Sequence, residues 1–144
     1  MSFLNSMSIS ASALTASRLR MDVIAENMAN SNTTRTENGD PYRRKYVVFQ
    51  EKTNEDEFAE FFNRAKTSPG GVRVVEIGTD MSEFKYDYNP SHPDADENGY
   101  VRYPNVEVVQ EMVDMMSAYR AYEANITAIN SLKDIAVKTL DIGK

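Results

Sequence analysis

The sequence predicts an α+β protein: long N- and C-terminal helices form an antiparallel coiled-coil-like hairpin, with a small β-rich insert between them. Apolar residues recur at steps of three and four over roughly the first thirty and the last 35 residues. Between them lie runs of β-branched and aromatic residues. We therefore divide the chain into an N-terminal coiled-coil helix (1–34), the insert (35–104) and a C-terminal coiled-coil helix (105–144).

The N-terminal segment has the spacing of a heptad seam. A helix from Asn5 through Met28 is about 36 Å long at 1.5 Å per residue. It ends before the polar run 30–34 (NSNTT), because such side chains bond their own backbone and favour caps and turns. The seam positions, of which only Arg18 is not apolar, are Leu4, Met7, Ala11, Leu14, Arg18, Met21, Ala25 and Met28.

The C-terminal segment repeats this spacing over four heptads. No proline or glycine lies between Pro104 and Gly143. Such a length is long for a globular helix and is typical of a coiled coil or a helical array. The seam positions, of which only Lys133 is polar, are Val108, Met112, Met115, Tyr119, Tyr122, Ile126, Ile129, Lys133, Ala136 and Leu140.

The insert contains three predicted strands. Residues 46–50 and 72–77 are rich in β-branched and aromatic side chains and follow turn sequences, and residues 84–88 alternate in period two. Residues 54–66 are a possible short amphipathic helix, with a surface loop as the alternative.

Composition disfavours several classes of function. The 144 residues include 16 basic and 22 acidic ones, a net charge of −6, which argues against a nucleic-acid binder. There is no cysteine, and His92 is the single histidine, so no zinc cluster is expected. Neither a G-x-S-x-G elbow nor a phosphate-binding P-loop is present. We expect no catalytic activity, no cofactor and no small-molecule substrate.

The sequence has no sign of membrane insertion. The N-terminus lacks the basic start and continuous apolar run of a cleaved signal peptide. No stretch approaches the roughly 20 apolar residues of a membrane span. We expect a chain that does not span a membrane.

Residues 92–105 (HPDADENGYVRYPN) resemble half of a calcium loop. Asp94, Asp96, Asn98 and Gly99 match its first positions, but position 12, which should be a bidentate carboxylate, is Asn105. The prolines around this stretch also disfavour flanking helices. We interpret it as a compact turn, and a calcium-binding module remains the alternative.

Arg43, Arg44 and Lys45 form a basic cluster in an acidic chain. Adjacent cations are not buried together without acidic partners. These partners would come from the acidic segment 55–60 or from a neighbouring subunit. We favour the neighbour, which makes the cluster a docking patch.

Four motifs resemble bacterial flagellar axial proteins, the subunits of rod, hook and hook-associated structures. Residues 27–34 (NMANSNTT) are similar to their N-terminal signature N-[IL]-A-N-x-x-T. Residues 105–112 (NVEVVQEM) through 120–125 (RAYEAN) are similar to their C-terminal one. Residues 41–45 (PYRRK) and 90–101 (PSHPDADENGYV) resemble the FlgC-type proximal rod proteins in particular.

The resemblance implies a structural subunit of the basal-body rod, the drive shaft that transmits torque across the periplasm. Its partners would be other rod subunits, the MS-ring/rod adapter and the flagellar type III export apparatus, which would export it without a cleaved signal peptide. The 92–99 turn would join the insert to the C-terminal helix at a subunit contact. The alternatives are a distal rod or hook subunit and a helical-hairpin adaptor.

Subunit contacts are expected along both helices and at the motifs that carry the resemblance. The expected interface residues are Leu4, Met7, Leu14, Met21, Met28, Asn27, Asn30, Thr33, Arg43, Arg44, Met112, Met115, Tyr119, Tyr122, Ile126, Ile129 and Leu140.

Overall fold

A computed structural model describes residues 3–52 and 70–142. Two long helices at the chain ends enclose a small antiparallel β insert, so the α+β class is confirmed. The possible helix at 54–66 lies outside the described residues. The elements in chain order are α1 (Phe3–Ala29), β1 (Lys45–Glu51), β2 (Val72–Thr79), β3 (Lys85–Tyr88), β4 (Tyr100–Tyr103) and α2 (Val108–Ile142).

Helix α1 ends at the predicted polar run. The backbone N–H and the side-chain amide of Asn30 both donate to the carbonyl of Glu26, at 3.1 and 3.0 Å. The hydroxyl of Ser31 donates to the carbonyl of Met28 at 2.9 Å. Polar side chains thus add hydrogen bonds to carbonyls of the last helical turn, as is typical of a helix end.

Strands β1 and β2 pair antiparallel, with Lys45 opposite Thr79 and a register shift between Val48 and Phe49. Strand β2 begins against α1, because the hydroxyl of Ser12 accepts the backbone N–H of Val72 at 3.1 Å. This contact fixes one end of the hairpin on the N-terminal helix.

Strands β3 and β4 form a second antiparallel pair, with Lys85 opposite Tyr103. Strand β4 was not predicted. The expectation that the 92–99 turn leads directly into the C-terminal helix is wrong, since this turn connects β3 to β4. The turn closes at Gly99, whose φ of 84° favours glycine and whose N–H donates to the carbonyl of Asp96 at 3.0 Å.

Helix α2 packs along α1, but the face it covers is shifted from the predicted seam. The seam positions Met112, Tyr119, Ile126 and Leu140 are exposed. The buried and half-buried positions are Val108, Glu111, Asp114, Met115, Ala118, Tyr122, Asn125, Ile129, Leu132 and Ala136. Only every second predicted seam residue therefore lies on the covered face.

In helix α1 the covered face is also shifted from the predicted seam. Leu4, Ala11, Arg18 and Ala25 of the predicted seam are exposed. The buried residues of this helix are Ala16, Val23, Ile24 and Asn27, which lie on its opposite side. The apolar core is small and ends at Ala118 along α2. Within the described ranges, neither long helix is apolar enough to cross a membrane.

Candidate functional site

Two polar side chains lie fully buried between the helices: Asn27 of α1 and Glu111 of α2, each with 0 % exposure. Tyr42 and Arg44 reach them from the segment that leads into β1. We call these four residues the polar cluster. A buried polar group costs free energy unless it is hydrogen-bonded, so the partners of each group decide whether the cluster stabilises the fold.

The amide of Asn27 makes four hydrogen bonds. Its Nδ2 donates to the carbonyl of Lys45 at 2.8 Å and to Oε2 of Glu111 at 3.1 Å. Its Oδ1 accepts from the hydroxyl of Tyr42 and from the backbone N–H of Lys45, both at 2.9 Å. An asparagine amide has two donors and two acceptor sites, so all four are used. Asn27 therefore holds the start of β1 against both helices.

Glu111 is a buried carboxylate with a cation beside it. Nε of Arg44 lies 2.6 Å from its Oε1. Asp114, one turn along α2, lies 3.7 Å from Arg44 and 3.6 Å from Arg20 of α1. Arg44 thus neutralises Glu111, whose other carboxylate oxygen accepts a hydrogen bond from Asn27. A carboxylate held in this way organises the fold and has no open side for a substrate.

Tyr42 is 8 % exposed and lies close to two carboxylates. Burial, reinforced by the charges of Glu26 and Glu111, raises the pKa of its hydroxyl to about 12. The neutral phenol is the form that donates to Asn27, so the cluster depends on this proton.

Asn105 ties the same segment to the start of α2. Its Oδ1 accepts the backbone N–H of Arg44 at 2.8 Å, and its Nδ2 donates to the carbonyl of Asp80 at 3.0 Å. Hydrogen bonds from the backbone and side chain of Ser82 hold the pKa of Asp80 below its ordinary value. The chain after β2 is thereby joined to the chain before β1.

The basic cluster has its partners inside its own chain. Arg44 pairs with Glu111, and Lys45 pairs with Glu26 of α1. The guanidinium of Arg43 lies 4.1 Å from the ring centre of Phe84 and donates to the carbonyl of Ser82. The expectation that a neighbouring subunit supplies the acidic partners is therefore wrong for Arg44 and Lys45. The acidic segment 55–60 lies outside the described residues.

The expected interface residues of the N-terminal signature also serve the fold. Asn27 is completely buried within the chain. Thr33 donates to Oδ1 of Asn30 at 3.2 Å, and its carbonyl accepts the N–H of Tyr42 at 3.1 Å. The signature thus builds the turn that returns the chain from α1 to the polar cluster.

The other expected interface residues fall into two groups. Met7, Leu14, Met21, Met28, Met115, Tyr122 and Ile129 are half-buried. Leu4 and Leu140 are 72 % and 74 % exposed, and the remaining exposed ones are Met112, Tyr119 and Ile126. The second group leaves apolar surface on the outside of both helices.

The calcium-like stretch uses its carboxylates within the turn. Asp94 accepts the hydroxyl of Thr34 at 2.8 Å and lies 3.8 Å from Arg35. Oδ1 of Asp96 accepts the backbone N–H groups of Asn98 and Tyr100, both at 2.9 Å. Over the described residues, no three His, Cys, Asp or Glu side chains are grouped as metal ligands would be.

Glu111, Tyr42 and Asn105 were not predicted as members of the site. All three lie within the motifs on which the resemblance was based, at 41–45 and 105–112. The motifs therefore contained these residues, but nothing in a single sequence distinguishes a buried glutamate from the exposed ones around it.

Two family models match parts of this chain. A family model described as "Flagella basal body rod protein" matches residues 7–35, and one described as "Flagellar basal body rod FlgEFG protein C-terminal" matches residues 97–142. These two ranges contain Asn27 and Glu111, the buried pair that joins the helices.

Full-length relatives carry the same description. The chain is 46 % identical over 152 residues to the flagellar basal-body rod protein FlgC of Bacillus subtilis, with 100 % of both chains covered. It is 45 % identical to FlgC of Borreliella burgdorferi, covering 99 % of this chain and 98 % of the relative. It is 41 % identical to FlgC of Salmonella typhimurium, with 100 % of both covered. The chain therefore belongs to the FlgC family of flagellar basal-body rod proteins.

Proposed function

We propose that this chain is a structural subunit of the proximal part of the flagellar basal-body rod. The observation that carries the proposal is the identity of 41–46 % to FlgC proteins across the whole chain. The relatives match from end to end, so the helices and the insert are shared with them. The buried site, in which Glu111 is closed off by Asn27 and Arg44, supports a role in architecture over one in catalysis.

The outer surface of α2 supports a role in assembly. Large apolar residues of this helix that its own α1 does not cover include Met112, Met116, Tyr119, Ile126, Val137 and Leu140. Soluble monomers rarely expose a long apolar strip of this kind, and such strips mark protein contacts. Neighbouring subunits would bury it.

We further infer that α1 and α2 form an antiparallel coiled-coil-like hairpin. Asn27 contacts Glu111, and Arg20 contacts Asp114. Residue numbers therefore decrease along α1 in the direction in which they increase along α2, as in an antiparallel pair. The covered positions of α2 also alternate in steps of three and four, as in a coiled coil. The hairpin would form the stiff part of each subunit.

The place of the subunit follows from this role. Other rod subunits would contact its outer faces, and the MS-ring/rod adapter would contact it at the base of the rod. The chain would pass through the flagellar type III export apparatus. In the periplasm it would transmit torque as one part of the drive shaft.

Deletion of the gene tests the proposal. We expect a non-motile strain whose basal bodies, seen by electron microscopy, keep the membrane rings and lack a complete rod. Expression of the unmodified chain from a plasmid should restore both rod and swimming. A deletion strain that swims and builds complete rods would overturn the proposed function.

A further inference from the structure

The side of α1 that faces away from the fold carries a regular line of exposed residues, which we call the outer line. Its eight members follow each other at steps of four and three. Five of them are small, which lets another helix approach closely. They are Leu4, Ser8, Ala11, Thr15, Arg18, Asp22, Ala25 and Ala29.

Helix α2 has a matching line of exposed residues beside the face that packs on α1, which we call the flank line. It has the same alternating spacing, and five of its members are large and apolar or aromatic. They are Met112, Met116, Tyr119, Glu123, Ile126, Asn130, Lys133 and Val137. Each line extends over about 38 Å at 1.5 Å per residue, so the two can meet along their whole length.

The charged residues favour antiparallel over parallel packing of the outer line on the flank line. Along α1, Arg18 precedes Asp22 by one turn, and along α2, Arg120 precedes Glu123 by about one turn. In an antiparallel pair, Arg18 opposite Glu123 places Asp22 opposite Tyr119, whose chain neighbour is the exposed Arg120. A parallel pair cannot place Asp22 there, because Asp22 would then lie opposite Thr127.

The same antiparallel register matches side-chain sizes. Ala25 lies opposite Met116 and Ala29 opposite Met112, so the two methionines meet the smallest residues of the outer line. At the other end, Leu4 lies opposite Val137, which pairs two apolar residues. Small residues facing large ones allow the interdigitation that helix packing needs.

Arg18 and Glu123 are available for this contact. Across residues 3–52 and 70–142, no carboxylate forms an ion pair with Arg18. Glu123 accepts a hydrogen bond from the hydroxyl of Tyr119 at 3.2 Å and has no cationic partner in the same described ranges. Both side chains project from the exposed surface, where each can pair with an opposite charge.

We propose that the outer line of α1 packs antiparallel on the flank line of α2 in a second copy of this chain, with Arg18 opposite Glu123. This proposal rests on the proposed function, because it specifies how rod subunits contact each other. Within one chain, α1 and α2 run in opposite directions. Copies that all point the same way therefore place α1 of one antiparallel to α2 of the next.

The contact uses different surfaces on the two copies. Such a heterologous contact leaves a free outer line at one end and a free flank line at the other, so it repeats without limit unless the rotation closes a ring. A rotation combined with a rise along the axis would give the helical wall of a tube.

Charge reversal tests the register. Arg18→Glu and Glu123→Arg each place like charges opposite one another, and each should reduce incorporation into isolated basal bodies at least about tenfold. The double variant restores an opposite pair and should return incorporation to within about threefold of the unmodified chain. Lys138→Glu, an exposed charge reversal on α2 outside the flank line, should incorporate normally.

A mixture of the two single variants gives a second readout. When the variants alternate, the carboxylate introduced at position 18 of one meets the guanidinium introduced at position 123 of the other. The unmodified pair of Arg18 and Glu123 forms at the next contact, so co-expression should restore incorporation.

Circular dichroism should show that all variants fold, since neither side chain has an ion pair within the described part of the chain. Single variants that incorporate normally, or a double variant that stays as defective as either single one, would overturn the register. The proposed function fails separately, if the unmodified chain itself is absent from basal bodies.

Discussion

Nδ2 of Asn27 donates a hydrogen bond of 3.1 Å to Oε2 of Glu111, joining residues that are 84 positions apart in the sequence. Both side chains are fully buried, and both belong to ranges matched by flagellar rod family models. The contact fixes where the two terminal helices meet, and through Lys45 it also fixes where the β insert begins. The relative position of all three parts thus depends on one polar cluster.

Replacement of Asn27 should be strongly destabilising. Asn27→Ala removes a partner from the buried hydroxyl of Tyr42, the buried carboxylate of Glu111 and the half-buried backbone of Lys45. At about 1–3 kcal/mol for each such group, the free energy of unfolding should fall by at least about 3 kcal/mol. Urea unfolding of the purified chain measures this change. Asn32→Ala, at an exposed position of the next turn, is the matched control and should stay within about 0.5 kcal/mol.

The buried ion pair should show strong coupling in a double-mutant cycle. Arg44→Met leaves Glu111 as an uncompensated buried carboxylate, so it should cost about 3–5 kcal/mol. Glu111→Leu should cost a similar amount, because it also removes a partner of Asn27. The combined variant should be less destabilised than the sum by at least about 1 kcal/mol. Purely additive losses in chemical denaturation would show that the pair has no energetic role.

Tyr42 should make the fold sensitive to alkaline pH. Its pKa is raised to about 12 in the folded chain, against about 10 in an unfolded one. The folded state therefore keeps the proton longer, so this stabilisation is complete below about pH 10 and is lost as pH rises towards 12. The loss over this window should be roughly 3 kcal/mol.

Unfolding curves between pH 9 and 12 measure that loss, and Tyr42→Phe should remove it while lowering stability at neutral pH. The control is Tyr86→Phe, at a position 64 % exposed, which should leave the pH dependence as it is. An unchanged alkaline slope in Tyr42→Phe would contradict the assignment.

Two glycines that share a backbone conformation should respond differently to alanine. Gly71 has a φ of +112°, and a Cβ there would lie 2.8 Å from Oγ of Ser12, where β2 meets α1. Gly39 has a φ of +87° and open space around it. Gly39→Ala should cost only the backbone strain of about 1–2 kcal/mol. Gly71→Ala should cost clearly more, because it also displaces β2 from α1. Thermal unfolding of both variants makes the comparison, and equal losses would show that the contact with Ser12 is unimportant.

The secondary structure was largely predictable because its signals are local. Helix α1 matches the predicted span within two residues at its start and one at its end, and β1, β2 and β3 follow the expected β-branched and aromatic runs. Strand β4 was missed because Tyr100–Tyr103 has only four residues and lies between a turn and Pro104. This segment is a strand because it pairs with β3. A local sequence pattern does not show such pairing.

The packing face was not predictable from spacing. Both helices carry more than one apolar line, so the sequence shows apolar stripes without showing which stripe meets the chain's own partner. The predicted seam on α2 joined residues of the covered face, such as Tyr122, with residues of the exposed flank line, such as Tyr119. In a protein that assembles, both lines are needed, and only the three-dimensional arrangement separates them.

The sequence motifs marked residues of the polar cluster, but they did not show which groups these residues contact. Asn27 was singled out by the N-terminal signature as an interface residue, and the structure shows that its amide is saturated by hydrogen bonds within the chain. Arg44 was likewise expected at an interface, and it pairs within the chain with Glu111, which is 67 residues away in the sequence. Long-range polar contacts of this kind have no periodic signal.

The most direct test of a rod subunit is its presence in purified hook–basal bodies, measured by quantitative mass spectrometry. We expect this chain to remain with the basal body after detergent extraction and after removal of the filament, in a constant ratio to the other rod proteins. Basal bodies with an intact rod that contain none of this chain would show that it is not a rod subunit.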